Sequence, residues 1–133
     1  MNAPLQGLRV VDFTRVLAGP HCTKILRDLG ADVTKIEPPA GDAGRGGVPH
    51  INSMSVYYTQ QNAGKRNLSI DLNYPEAREI VRELCRDADV VVENLAVDRD
   101  FFVFFEQLYF VQRVARIQQV PPDIVGARGR GTV

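Results

Sequence analysis

The feature that most restricts how this sequence can fold is its alternation of short β-branched runs with amphipathic helical stretches. Leu8-Arg9-Val10-Val11-Asp12-Phe13 reads as a strand, with Gly7 before it and a polar turn after it. Ala18-Gly19-Pro20 follows, a glycine suited to a tight turn and a proline suited to the first position of a helix. Cys22, Ile25, Leu26 and Leu29 recur at i, i+3, i+4 and i+7 and predict one apolar helix face, with Gly30 as its stop. Asp32 to Glu37 is the next strand, ended by Pro38-Pro39. The pattern then repeats: Asn67 to Leu72 alternates as a strand, and Pro75 and Glu76 open a second helix. Its core side is predicted from Ala77, Ile80, Val81, Leu84, Cys85 and Ala88. Val90-Val91-Val92-Glu93-Asn94 has the composition of a buried parallel strand.

Strands alternating with amphipathic helices predict an α/β fold, a Rossmann-like parallel sheet flanked by helices. In such sheets ligands bind beyond the carboxyl ends of the strands. The segments of interest are therefore Thr14 to Gly19, Pro38 onward, Asn73 to Pro75, and Asn94 onward. Between Pro38 and Ser53 the chain is rich in Gly and Pro without a period, and reads as a long loop. Val56-Tyr57-Tyr58 fits either a short helix or an extended piece.

Composition excludes several classes of function. With 16 basic and 16 acidic residues the net charge is +0, which gives no global attraction to nucleic acid or to an anionic membrane. Neither Cys22 nor Cys85, nor His21 or His50, has a partner at metal-ligand spacing, so no metal site is expected and the thiols read as reduced. The N-terminus lacks a basic and an apolar signal region, which points to a cytoplasmic protein.

Four stretches of the chain resemble family III CoA-transferases, the group of carnitine, bile-acid and formyl-CoA:oxalate CoA-transferases. Leu5 to Phe13 with Val16-Leu17-Ala18-Gly19-Pro20 is similar to the family's opening, and Leu29 to Pro39 with Gly41-Asp42 to its second block. Asn62 to Leu72 is similar to the third and Ala88 to Asn94 to the fourth. The resemblance covers the chain to about Asn94. It implies binding of coenzyme A on the Rossmann-like part, and transfer of CoA from an acyl-CoA to a small carboxylate through a nucleophilic aspartate. It also implies an interlocked homodimer, with CoA as a substrate and not as a tightly held cofactor. A branch of the same fold racemises 2-methylacyl-CoA thioesters, and a non-catalytic CoA-binding or interaction remnant is a further alternative.

Carried over by residue, the resemblance places CoA contacts at Val16, Leu17 and Ala18, at Pro38, at Leu72, Asn73, Tyr74 and Pro75, and at Asn94 and Leu95. Some family members have Gln at position 17 and Arg at position 38, and Pro38 cannot grip a phosphate as a guanidinium does. Lys65 and Arg66 are the nearest alternative cations, although alone such a pair reads as a solvated basic pair. The Thr14 to Pro20 turn is expected to offer free backbone N–H groups at a helix start. Arg45 reads as a mobile anion contact or a solvent-exposed side chain. Asp12, Glu37 and Glu93 are read as structural, and no catalytic residue is assigned.

From these patterns residues 1–94 form the CoA-binding part and residues 95–133 a divergent tail, helical at first and then disordered. The tail reads as an out-of-frame product or as a divergent C-terminus. Its run from Phe101 to Val111 is too short, and too interrupted by Glu106 and Gln107, to span a membrane.

Overall fold

The structure is a computed structural model and describes residues 3–94 and 114–116. Five strands form one parallel sheet: β1 (Arg9–Asp12), β2 (Asp32–Glu37), β5 (Arg66–Ser69), β6 (Val90–Glu93) and β7 (Val114–Arg116). Their order is β5-β2-β1-β6-β7. Val10 lies opposite Val33 of β2 and Val90 of β6, so β1 is central and paired on both sides. The chain leaves β1 toward β2 and β5 on one side and returns to β6 on the other. That reversal puts a crevice at the carboxyl ends of β1 and β6.

Burial on both faces is what the valine-rich strands demand. Val11, Phe13, Ile36 and Val91 pack on one face with Val81 and Cys85 of α3 (Pro75–Asp87). Val10, Val33 and Val92 pack on the other, where Leu26 of α1 (Ala18–Asp28) joins them. The expected α/β layering is therefore present. Enclosure of Cys85 pushes its thiol up to about 12, which keeps it an apolar core residue.

Several local expectations are corrected. The apolar stripe predicted for α1 is only partly its buried face: Leu26 packs on the core, but Ile25 and Leu29 are 47% and 41% exposed, while Gly19, Pro20 and Thr23 are buried. The helix is seated by its first two turns, where Thr23 points into a polar cluster, and that rotation turns Ile25 outward. Gly19 lies inside the helix and not in a turn. A Cβ there would sit 2.3 Å from Cβ of Thr14, so its role is close approach. Pro20 falls in the first helical turn, where its missing N–H is not needed. Ile80, expected in the core, is 50% exposed on α3.

The expected loop from Pro38 to Ser53 is folded. It holds a 3₁₀ turn at Ala43–Gly46 and a small hairpin of β3 (His50–Ile51) with β4 (Met54–Ser55). Val56–Asn62 is a helix, α2, whose first turn is capped by the Ser55 hydroxyl accepting from the Tyr58 N–H at 3.1 Å. The strand expected over Asn67 to Leu72 ends at Ser69, after which the chain turns toward α3. In the tail, Val114–Arg116 is a strand beside β6, an element the sequence did not suggest. An unpaired edge next to a buried parallel strand accepts such a segment through its backbone. The remaining expectations for residues 95–133 lie outside the described residues.

Gly19→Ala should lower stability by about 1–3 kcal/mol through overpacking against the Thr14 turn. Gly46→Ala, with nothing within 4 Å of the added carbon, should change it little. Urea unfolding midpoints of the two variants measure the difference, and equal midpoints would refute the close-approach role.

Candidate functional site

The crevice is built from strand-end acids that are buried and neutralised. Asp12, the last residue of β1, is fully buried. Its carboxylate accepts from the Thr14 N–H at 2.8 Å and from the hydroxyls of Thr14 and Thr23. The Lys65 ammonium completes the cluster at 3.0 Å from Asp12 and also donates to the Pro20 carbonyl at 2.9 Å and to Asn62 Oδ1 at 2.8 Å. Burial lowers the pKa of Lys65 against the opposing pull of Asp12. One cluster thus ties β1, α1 and the start of β5 together.

A second pair lies next to it. Lys35, on β2 and 1% exposed, donates to the Thr14 carbonyl at 2.6 Å and pairs with Asp42 at 3.0 Å. Asp42 also receives the Gly44 N–H at 2.8 Å and the Val16 N–H at 3.3 Å. Burial works to raise the Asp42 pKa, but these donors and Lys35 hold it below the ordinary value. Glu37, at the end of β2, accepts from Arg45 Nε at 2.7 Å, from Asn67 Nδ2 at 2.7 Å and from the Tyr58 hydroxyl. The Arg45 guanidinium lies 4.0 Å from the centre of the Tyr58 ring. Burial would raise Glu37, yet the hydrogen bonds from Arg45 and Tyr58 prevail and its pKa is lowered.

These bonds shape the turn that follows β1. Val16 has φ of 68°, an unusual left-handed conformation for a β-branched residue. It is held there by Asp42 on its N–H and by the Tyr57 hydroxyl, which donates to its carbonyl at 2.9 Å. Asn94 braces the same turn, accepting from the Arg15 N–H at 2.8 Å and donating to the Arg15 carbonyl at 3.0 Å. The N–H groups of Thr14, Arg15 and Val16 are therefore occupied, and that part of the turn offers no free donor. The start of α1 has Leu17 as its N-cap and no side-chain cap.

Beyond the strand ends lies an open cleft of about 190 Å³. It gathers Pro38, Leu72 and Asn73 from the expected set, together with Phe13, Arg15, Ile36, Glu37, Ile70 and Asp71. Val16, Leu17 and Ala18 are exposed on the adjoining turn, and Tyr74 and Pro75 are exposed at the start of α3. Asn94 lies at the crevice but directs its amide to the turn; Leu95 lies outside the described residues. Lys65 is corrected as a phosphate clamp, because its side chain is 1% exposed and spent on the Asp12 cluster. Arg66 pairs with Asp32 at the outer side of β2. Arg45 is solvent-exposed, one of its two expected readings, but not mobile, being held by Glu37 and Tyr58. Arg15 was missed: it sits in the polar turn after a predicted strand, and only the converging strand ends reveal that it faces the cleft.

Residues 5–100 match the model of CoA-transferase family III. The chain belongs to CoA-transferase family III. A family relative, the succinyl-CoA:mesaconate CoA-transferase of Haloarcula hispanica, is 47% identical over 68% of this chain and 24% of its own length. The formyl-CoA:oxalate CoA-transferase of Bradyrhizobium sp. (strain ORS 278) is 44% identical over 98% of this chain and 30% of its own. Similarity to that family member therefore runs past Asn94, where the resemblance had been expected to stop. The crystal structure of a CAIB/BAIF family protein from Brucella suis superposes with a TM-score of 0.77 at 36% identity, over 89% of this chain and 33% of that one. The chain thus spans about a quarter to a third of the length of these relatives. No helix among the described residues is long and apolar enough to cross a membrane.

The buried acids predict the acid limb of stability. Glu37 and Asp42 have folded pKa values below their ordinary 4.5 and 3.8, so the stability they contribute is present above those values and is lost as pH falls below them. Glu37→Gln should be less stable than the parent at neutral pH, and its stability should fall less between about pH 4.5 and pH 3. Urea midpoints across that range test this, and parallel curves for parent and variant would contradict it.

Proposed function

We propose that this chain forms the nucleotide-binding part of a family III CoA-transferase, in which CoA moves from an acyl-CoA donor to a small carboxylic acid. The observation that carries this reading is the cleft beyond β1, β2 and β5. It has apolar walls from Phe13, Ile36, Pro38, Ile70 and Leu72, and a few polar groups at its rim. That is the chemistry of a small-molecule site that holds a flat ring and fixes a charged substituent. Pro38, Leu72 and Asn73 are positions at which the family resemblance implies CoA contact, and their convergence supports the reading. CoA enters here as a substrate. The relatives named above act on succinyl-CoA with mesaconate and on formyl-CoA with oxalate. Both pairs couple a thioester to a carboxylate, which favours transfer over racemisation.

No described residue is proposed as the nucleophile. Asp12 is fully buried and its oxygens accept from Thr14, Thr23 and Lys65, so it neither reaches a thioester nor has a free lone pair to attack one. The reading includes an interlocked homodimer in the cytoplasm for the intact protein, with the reacting carboxylate supplied outside the described residues.

Calorimetry of the folded chain with CoA should give weak, saturable binding, with a Kd on the order of 0.01–1 mM. No CoA transfer between acyl-CoA and carboxylates is expected from it. Pro38→Arg, which adds a guanidinium to the cleft wall, should tighten CoA binding by about tenfold, the worth of one charge-assisted hydrogen bond. Absence of any CoA binding by folded protein would sink the proposal.

A further inference from the structure

We infer that Arg15 is the phosphate-recognising residue of this cleft, taking the place that Pro38 leaves without a cation; the inference rests on the CoA reading above. Arg15 and Pro38 line the same cleft, one from the end of β1 and the other from the end of β2. The cations elsewhere around the crevice are committed. Lys65 is spent on Asp12, Lys35 on Asp42, and Arg45 on Glu37. Among the described residues the Arg15 guanidinium has no hydrogen-bond or ion-pair partner, and the residue is exposed.

Two acids share the cleft with it. Glu37 is neutralised by Arg45, and Asp71 accepts from the backbone and side-chain N–H groups of Asn73, at 3.0 and 2.8 Å. Among the described residues, the cleft therefore presents one uncommitted positive charge beside an apolar wall. That combination suits a heteroaromatic ring carrying phosphate, with the guanidinium forming paired bonds to phosphate oxygens.

The backbone of Arg15 is fixed at both its N–H and its carbonyl by Asn94. Because the main chain is held in this way, the long side chain searches from a fixed base and loses less freedom when it binds. Replacing the side chain removes neither of the Asn94 bonds, so a binding defect in Arg15→Ala is separable from a folding defect.

The test is titration of parent, Arg15→Ala, Pro38→Arg and the double variant with CoA, 3′-dephospho-CoA, pantetheine and inorganic pyrophosphate. Arg15→Ala should weaken CoA at least about tenfold, the worth of a charge-assisted bond, and leave pantetheine unchanged. Adding Pro38→Arg to that variant should recover most of the loss. If the 3′-phosphate is the group held, the Arg15 effect vanishes with 3′-dephospho-CoA; if the diphosphate is held, it persists there and appears with pyrophosphate. Equal CoA affinity of parent and Arg15→Ala overturns the inference and leaves the CoA reading standing. Pyrophosphate binding that depends on Arg15, without CoA binding, upholds the phosphate site and overturns the CoA reading. If the folded parent binds neither CoA nor pyrophosphate, both are overturned.

Discussion

Asp12 and Lys65 meet at 3.0 Å in a place neither could occupy alone. Both side chains are almost completely enclosed, and removal of either would leave a charge in the interior without its counter-ion, a loss of about 3–5 kcal/mol in comparable buried pairs. The pair does more than neutralise itself. Asp12 is the end of the central strand, and its remaining bonds fix Thr14 and Thr23. Those fix the β1–α1 turn and the rotation of α1, which explains why the helix is seated by a threonine and a glycine and leaves Ile25 outside.

The same logic governs the neighbouring strand ends. Acids at the ends of β1 and β2, and Asp42 just beyond, lie where a ligand's phosphates would be repelled if the carboxylates stood bare. Each is matched by a cation from another part of the chain: Lys65, Arg45 and Lys35. The glycine-rich segment after Pro38 supplies Asp42 and Arg45 to this scheme, and its folding is the condition for neutralisation. Arg15 is left over, and the field in the cleft follows from it.

Much of this architecture was legible in the sequence, because valine runs and a helical period report burial directly. β1, β2, β6 and α3 follow from Val10-Val11, from Val33 and Ile36, from Val91-Val92, and from Ala77, Val81 and Cys85. The family was legible too, since its motifs lie in those same segments. What could not be read were the polar decisions. Lys65 looks like a surface cation next to Arg66, and nothing local distinguishes the two. Only β5 pairing beside β2 places Lys65 at Asp12 and Arg66 at Asp32, on the amino end of β2. Arg45 is exposed, as one of its two readings had it, but its partners Glu37 and Tyr58 were not legible, lying at separations of 8 and 13 residues on different elements. The segment after Pro38 lacks a period because short turns, a two-residue hairpin and side-chain bonds, and not one long regular element, give it shape. Asp42 and Ser55, as caps of the turn and the helix that follow them, were the local signs available there.

The Asp12 cluster also constrains how the protein is made. Asp12 and Lys65 are separated by 53 positions, so a ribosome working at about 5–20 residues per second exposes the acid roughly 3–10 s before its counter-ion exists. During that interval the first β-α-β unit has its apolar faces ready and an unmatched charge at its centre. It cannot close early into a finished structure. Burial of Asp12 with its full set of partners therefore follows the synthesis of Lys65.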